Sequence, residues 1–254
     1  MTDKQPLLEV KKLSKSFGGV RAVQDVSFTL YPGELVAIVG DNGAGKSTLI
    51  KMIAGTYVPD SGEIWIEGIK RDIRNPQGAM ALGIETMYQD LSLIPTMDAA
   101  GNIFLGHEPR RNVAGLKVLN HKQMQKKAGE LMKRLGIDIP SMRIEVEYLS
   151  GGERQAVGLS RALKSGSLKL LIMDEPTAAL AVEEQTKVLE ITKTLNESGV
   201  TIIIISHNLD HVLSVSKRIL VMKSGKIVAD FVSGEITKEQ VAQSIVTGTA
   251  GKIA

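Results

Sequence analysis

Leu35-Val36-Ala37-Ile38-Val39-Gly40-Asp41-Asn42-Gly43-Ala44-Gly45-Lys46-Ser47-Thr48 carries a short, fully apolar strand into a glycine-rich loop and then into a helix start. From Gly40 to Ser47 the loop fits G-x-x-x-x-G-K-[ST] in its required strand–loop–helix setting. Its glycines let the backbone curl so that N–H groups point inward at phosphate oxygens. The helix, expected from Gly45 to about Ala54, adds its positive end to the same anion. In such a loop Lys46 reaches the β- and γ-phosphates and the Ser47 hydroxyl ligates Mg²⁺. Lys46 is expected to face the ligand and to lie outside the packed core. A glycine-rich turn with a surface lysine is the plainer alternative, and the complete motif speaks against it. The nucleotide-contacting set is therefore Gly40, Asp41, Asn42, Gly43, Ala44, Gly45, Lys46, Ser47 and Thr48.

On the N-terminal side, Leu7 to Leu13 and Val23 to Leu30 alternate apolar and polar residues as half-buried strands do, and Tyr31-Pro32-Gly33 breaks the second. On the other side, Glu63 to Glu67 reads as an edge strand after the Pro59-Asp60-Ser61-Gly62 turn. From Asp98 to Lys164 the signals are mostly helical. His121 to Gly136 is the strongest, with Met124, Ala128, Leu131, Met132 and Leu135 on one stripe and its lysines on a solvated face. After Lys164 short apolar runs return at Leu168 to Met173 and Thr201 to Ile205, as in strands covered on both faces. A helix from Val182 to Ser198 lies between them, with Val182, Val188, Leu189, Ile191 and Leu195 as its main apolar residues. The expected fold is α/β: a mainly parallel sheet, N-terminal antiparallel strands and a helical subdomain. One domain spans 1–254, with a nucleotide-binding core of 1–91 and 165–254 and a helical subdomain of 92–164.

The strand Leu170-Leu171-Ile172-Met173 ends in Asp174-Glu175. Ligands sit at strand ends of open parallel sheets. Asp174 suits a Mg²⁺ contact, and Glu175 is placed to polarise an attacking water. Alone, such an acid pair is more often a turn or helix cap; beside the phosphate loop it reads as part of a phosphoryl-transfer site.

Bulk properties fit this picture. The chain has 254 residues, 43% hydrophobic and 23% charged, in the ordinary globular range. A net charge of +3 does not argue for a nucleic-acid partner, and the absence of cysteine rules out disulfides, thiolate metal sites and a catalytic thiol. The apolar run Val200 to Ile205 is far below the ~20 residues a membrane span needs. A membrane role would come through a partner.

With Leu149-Ser150-Gly151-Gly152-Glu153, the phosphate loop and the acidic strand resemble the ABC transporter ATPase family over nearly the whole chain. Ser150 and Glu153 also form an S-x-x-E capping box, the bland reading of the pentapeptide. The resemblance implies a P-loop ATPase using ATP and Mg²⁺. It implies that Phe17 stacks on adenine with Val23 beside it, although plain core packing is open for Phe17. Gln89 matches the glutamine that senses Mg²⁺ and water, and His207 the histidine that contacts the γ-phosphate. Ser150, Gly151, Gly152 and Glu153 would read the phosphate held by a second subunit, in a head-to-tail homodimer. Ala181 departs from most of the family, which has Asp in the loop after Asp174-Glu175.

Softer likenesses at Gly40 to Gly45, Leu91-Ser92-Leu93-Ile94-Pro95, Asn102-Ile103-Phe104-Leu105-Gly106 and Ser206-His207-Asn208 resemble the ATPases of importers of ribose, xylose or fructose. They imply a transmembrane permease partner, an indirect link to a substrate-binding protein, and a cytoplasmic, peripheral place on the inner face of the cell membrane. An ABC transporter ATPase for another cargo, a non-transport ABC protein and a P-loop kinase are the competing readings. The kinase has no need of the Ser150 pentapeptide.

Overall fold

The computed structural model describes residues 5–113, 115–164 and 166–249. The chain opens with β1 (Leu8–Phe17), β2 (Val20–Leu30), β3 (Leu35–Val39), α1 (Lys46–Ile53), β4 (Ser61–Ile66) and β5 (Ile69–Arg71). It continues through α2 (Pro76–Ala81), β6 (Ile84–Met87), α3 (Ala99–Phe104), β7 (Arg110–Val113), β8 (Leu116–Leu119), α4 (His121–Arg134) and α5 (Gly151–Leu163). The last third holds β9 (Leu170–Asp174), α6 (Val182–Glu197), β10 (Thr201–Ile205), α7 (Leu209–Val215), β11 (Arg218–Lys223), β12 (Lys226–Val232) and α8 (Lys238–Thr247). Among the described residues no helix is long and apolar enough to cross a membrane.

Two compact units form. Of the described residues, the first takes 5–86, Leu168–Pro176 and 196–249, and the second takes those within Met87–Ser167 and Thr177–Leu195. The first unit is built on a six-stranded sheet of order β12-β11-β3-β10-β9-β6. Strand β3 runs parallel to β10 and β11, and β9 parallel to β10, while β12 closes the edge antiparallel to β11. Every residue of β3, β9 and β10 is buried, which is why these strands read as unbroken apolar runs.

An antiparallel sheet of order β2-β1-β4-β5 carries the N-terminal strands. Glu63 to Glu67 was expected at an edge, but β4 has β1 on one side and β5 on the other. The three residues of β5 are too few to show a period, and two of them, Ile69 and Lys70, are exposed.

The second unit departs from the helical expectation in one place. Between α3 and α4, β7 and β8 form an antiparallel hairpin whose described residues are all exposed. A hairpin that buries neither face leaves no alternation for a sequence pattern to reveal. Helix α4 does bury the Met124, Ala128, Leu131 and Met132 stripe, and Leu135 at its C-cap is buried too. In α6, Val188, Ile191 and Leu195 are buried, whereas Val182 in the first turn is 77% exposed. Buried Asn102 holds the loop before α3: its Oδ1 accepts from Ile94 N–H at 2.8 Å, and its Nδ2 donates to the carbonyls of Ile94, Met97 and Asp98.

Candidate functional site

The loop Gly40–Gly45 leaves the buried end of β3 and enters α1. Two of its glycines are required by close approach. A Cβ on Gly40 (φ +152°) would lie 2.1 Å from the Met222 carbonyl oxygen, and one on Gly45 (φ +102°) 2.2 Å from that of Ala22. Outside the loop, Gly225 N–H donates to the Ala44 carbonyl at 2.9 Å, and Gln24 N–H donates to the Gly225 carbonyl at 2.8 Å. Strand β2 and the β11–β12 turn thus brace the loop from behind.

Lys46 differs from its expected exposure. It is only 8% exposed, and its Nζ donates to the carbonyls of Gly40 at 2.7 Å and Asp41 at 2.9 Å. The loop wraps the ammonium because curling the backbone turns those two carbonyls towards it. Burial lowers the Lys46 pKa, while the charges of Glu175, Asp174 and Asp41 pull it the other way.

Asp174 is buried at the end of β9, and burial, reinforced by the charge of Glu175, raises its pKa. Lys51, a hydrogen bond with the Ser47 hydroxyl and the Lys46 ammonium oppose that shift. Ser47 and Asp174 therefore sit together at the mouth of the loop. A hydroxyl and a carboxylate, both hard oxygen donors, fit Mg²⁺, which binds through few protein groups and is completed by water and phosphate oxygens. No cluster of three or more His, Cys, Asp and Glu exists among the described residues, as such a sparsely ligated ion would allow.

Glu175 follows with φ +52°, a left-handed backbone for a non-glycine residue. Residues held in such conformations cluster at functional sites. Its N–H donates to the Ile205 carbonyl at 2.9 Å, and its Oε2 lies 2.9 Å from Nδ1 of His207. His207 is 75% exposed at its side chain and Glu175 17%, so the histidine leans over the carboxylate from the solvent side. The ends of β3, β9 and β10 thus bring Lys46, Ser47, Asp174, Glu175 and His207 into one place.

At the far end of the antiparallel sheet, Phe17 is 43% exposed and meets Tyr57 edge-on, with ring centroids 5.2 Å apart. Lys15 Nζ lies 5.7 Å from the Phe17 ring centroid. Val23 is 1% exposed and belongs to the core, which leaves Phe17 to present the ring. No motif or period in the sequence points to Tyr57; it lies four residues beyond the end of α1 and forty positions from Phe17, a proximity only the fold creates.

In the second unit, Gln89 is exposed in the loop after β6. Ser150 is the N-cap of α5. Its hydroxyl accepts from Glu153 N–H at 3.3 Å, and Glu153 Oε2 accepts from Ser150 N–H at 2.8 Å, so the capping box is formed. Gly151 and Gly152 are buried in the first turn. Glu184, which belongs to no motif, reaches them from α6: its Oε1 accepts from Gly152 N–H at 3.3 Å and its Oε2 from Ala181 N–H at 3.2 Å.

This fold and this arrangement of strand-end groups have a clear counterpart. The chain belongs to the ABC transporter family, whose profile matches residues 23–178. It is 44% identical over 247 residues to the xylose/arabinose import ATP-binding protein of Sulfolobus acidocaldarius, covering 97% of this chain and 96% of that protein. It is also 44% identical to the fructose import ATP-binding protein of Rhizobium meliloti, over 87% of this chain and 86% of that one. A ribose import ATP-binding protein of Rubrobacter xylanophilus is 41% identical, and there the match spans 48% of the relative's length. Among solved structures, an ATP-binding cassette of an ABC transporter superposes with a TM-score of 0.83 at 27% identity, covering 96% of this chain and 98% of that one. A dimeric cassette in a post-hydrolysis state bound to ADP and Pi gives 0.74 at 26%, covering 89% and 98%.

Proposed function

We propose that this chain is the ATP-hydrolysing subunit that energises import of a monosaccharide through a separate transmembrane permease. The observation that carries the ATPase reading is the strand-end constellation. A braced phosphate loop with its lysine inside stands next to a Ser47–Asp174 oxygen pair and a Glu175–His207 pair. ATP places its phosphates in the loop, against the backbone N–H groups and Lys46, with Phe17 under the adenine. Mg²⁺, when bound at Ser47 and Asp174, neutralises charge on the phosphates. Glu175 takes a proton from the attacking water, and His207, hydrogen-bonded to it, keeps that carboxylate oriented and faces the γ-phosphate. Gln89 monitors Mg²⁺ and water at the junction with the helical segment 92–164, which passes the motion to the permease.

The sugar reading is supported by what the named relatives import: xylose and arabinose, fructose, and ribose. A second copy of the chain completes each ATP site by presenting Ser150, Gly151, Gly152 and Glu153 to the γ-phosphate. The assembly then works on the inner face of the cell membrane, in reach of a substrate-binding protein only through the permease. Removing the gene and measuring uptake of labelled xylose, fructose and ribose tests the cargo. Loss of one uptake, restored by the intact gene and not by a Lys46→Ala copy, is the expected result. Undiminished uptake of all three sugars would overturn the cargo assignment while leaving the ATPase reading to its own assay.

A further inference from the structure

The start of α5 has no free N–H donor. The first four N–H groups of a helix lack partners within it and are what an anion would bind. Here Glu153 N–H is held by the Ser150 hydroxyl at 3.3 Å, and Arg154 N–H by the Ser150 carbonyl at 2.9 Å. Gly152 N–H is held by the Glu184 carboxylate at 3.3 Å, and the N–H of Ala181 first, then those of Gly152 and Gly151, hold the pKa of that carboxylate low. The contact is close: a Cβ on Gly151 would lie 2.7 Å from Glu184 Oε2 and 2.7 Å from Leu180 Cδ2. The other side of the carboxylate accepts from Ala181 N–H at 3.2 Å, at the position where the family resemblance leads one to expect an aspartate.

We infer that Glu184 is an internal anion that occupies the phosphate-reading end of α5 in the single chain and must release it before a second subunit's ATP can be held there. The inference rests on the proposed role of Ser150–Glu153 as reader of the partner's γ-phosphate. A carboxylate and a triphosphate cannot share two N–H groups, and as like charges they repel. Because the same carboxylate also holds Ala181, its release frees the loop that follows Asp174-Glu175. Opening of α5 to phosphate and loosening of that loop are then one event. Glu184 acts on the reaction through the helix end and the loop, as a gate, and does not touch the reacting atoms.

The test uses the full chain carrying Glu175→Gln, in which hydrolysis no longer dissolves a closed dimer, with ATP and Mg²⁺ as the probe. Adding Glu184→Gln exchanges a charged acceptor for a neutral one of the same size. Hydrogen bonds to charged groups are about twice as strong as neutral ones, so the ATP-driven dimer should form at about fivefold lower protein concentration. ATP affinity of the single chain should stay the same, since the phosphate loop is untouched. A dimer at the same concentration, or one requiring more protein, overturns the inference and makes Glu184 a support for the helix start. No dimer in either background removes the partner-phosphate reading and this inference with it. Adding Ser150→Arg separates the two: a dimer that survives it rejects the reading itself. If Glu184→Gln lowers the melting temperature, Glu184→Asp, which keeps the charge on a shorter side chain, provides the second comparison. It should also favour the dimer, and a weakened dimer there rejects the gate.

Discussion

Alanine at Gly45 probes whether the phosphate loop is held by its surroundings or merely permitted by its glycines. The backbone there has φ +102°, and an added Cβ would lie 2.2 Å from the Ala22 carbonyl oxygen and 3.4 Å from Gly225 Cα. Both neighbours are backbone, and the Gly225 N–H bond to Ala44 and the Gln24 N–H bond to Gly225 tie them in place. Forcing an L-residue into a left-handed conformation costs about 1–2 kcal/mol, and overpacking a closed site about 1–3 kcal/mol more. The sum, about 2–5 kcal/mol, is a large share of the ~5–15 kcal/mol by which a domain is stable. Gly43 provides the control: its φ is +82°, but a Cβ there meets nothing within 4 Å, so Gly43→Ala carries the backbone cost alone. Urea unfolding of both variants, with circular dichroism as readout, should place Gly45→Ala below Gly43→Ala by about 1–3 kcal/mol. Equal midpoints and slopes would refute the claim that β2 and the β11–β12 turn brace the loop.

Lys46→Ala should abolish ATP hydrolysis in a phosphate-release assay while circular dichroism stays native; turnover near the unmodified rate would remove the phosphate-loop assignment. Phe17→Ala should weaken ATP binding by about 1–3 kcal/mol in a titration, as base–aromatic stacking predicts, with little change in the hydrolytic step. Unchanged affinity would make the Phe17–Tyr57 pair structural. Asp174→Asn tests the buried charge through pH. Its folded pKa is raised above 3.8, so the native state binds the proton more tightly than the unfolded chain. That stability is fully present below the unfolded pKa and is lost as pH rises through the folded one. The Asn variant should lose this slope in acid-range urea titrations and be the more stable protein near neutral pH without Mg²⁺ and ATP. A less stable variant there would contradict the account.

The parts of the site legible in the sequence are those that one short segment carries whole. Gly40 to Ser47, Asp174-Glu175 and the Ser150 capping box each contain their own geometry, and all three take the expected local form. The α/β alternation was legible for the same reason, since β3, β9 and β10 are buried on both faces and show it as apolar runs. What depends on distant segments was not. Gly225 braces a loop some 180 positions earlier, and Glu184 reaches Gly152 across 32 positions. The motif places Lys46 towards a ligand and outside the packed core, yet its side chain is buried. Only the curl of the Gly40 and Asp41 carbonyls around its ammonium shows that burial is compatible with that charge. The β7–β8 hairpin escaped because a strand pair with no buried face leaves no periodic trace.

Glu175, hydrogen-bonded to His207 just beyond the end of β9, is proposed as the base for ATP hydrolysis. The direct measurement is steady-state ATP turnover by purified Glu175→Gln beside the unmodified chain, with ATP affinity measured on both. A positioned general base contributes about 10²–10⁴-fold, so turnover should fall by at least about a hundredfold while ATP affinity and folding persist. Turnover near the unmodified rate, with ATP bound equally well, would contradict the account.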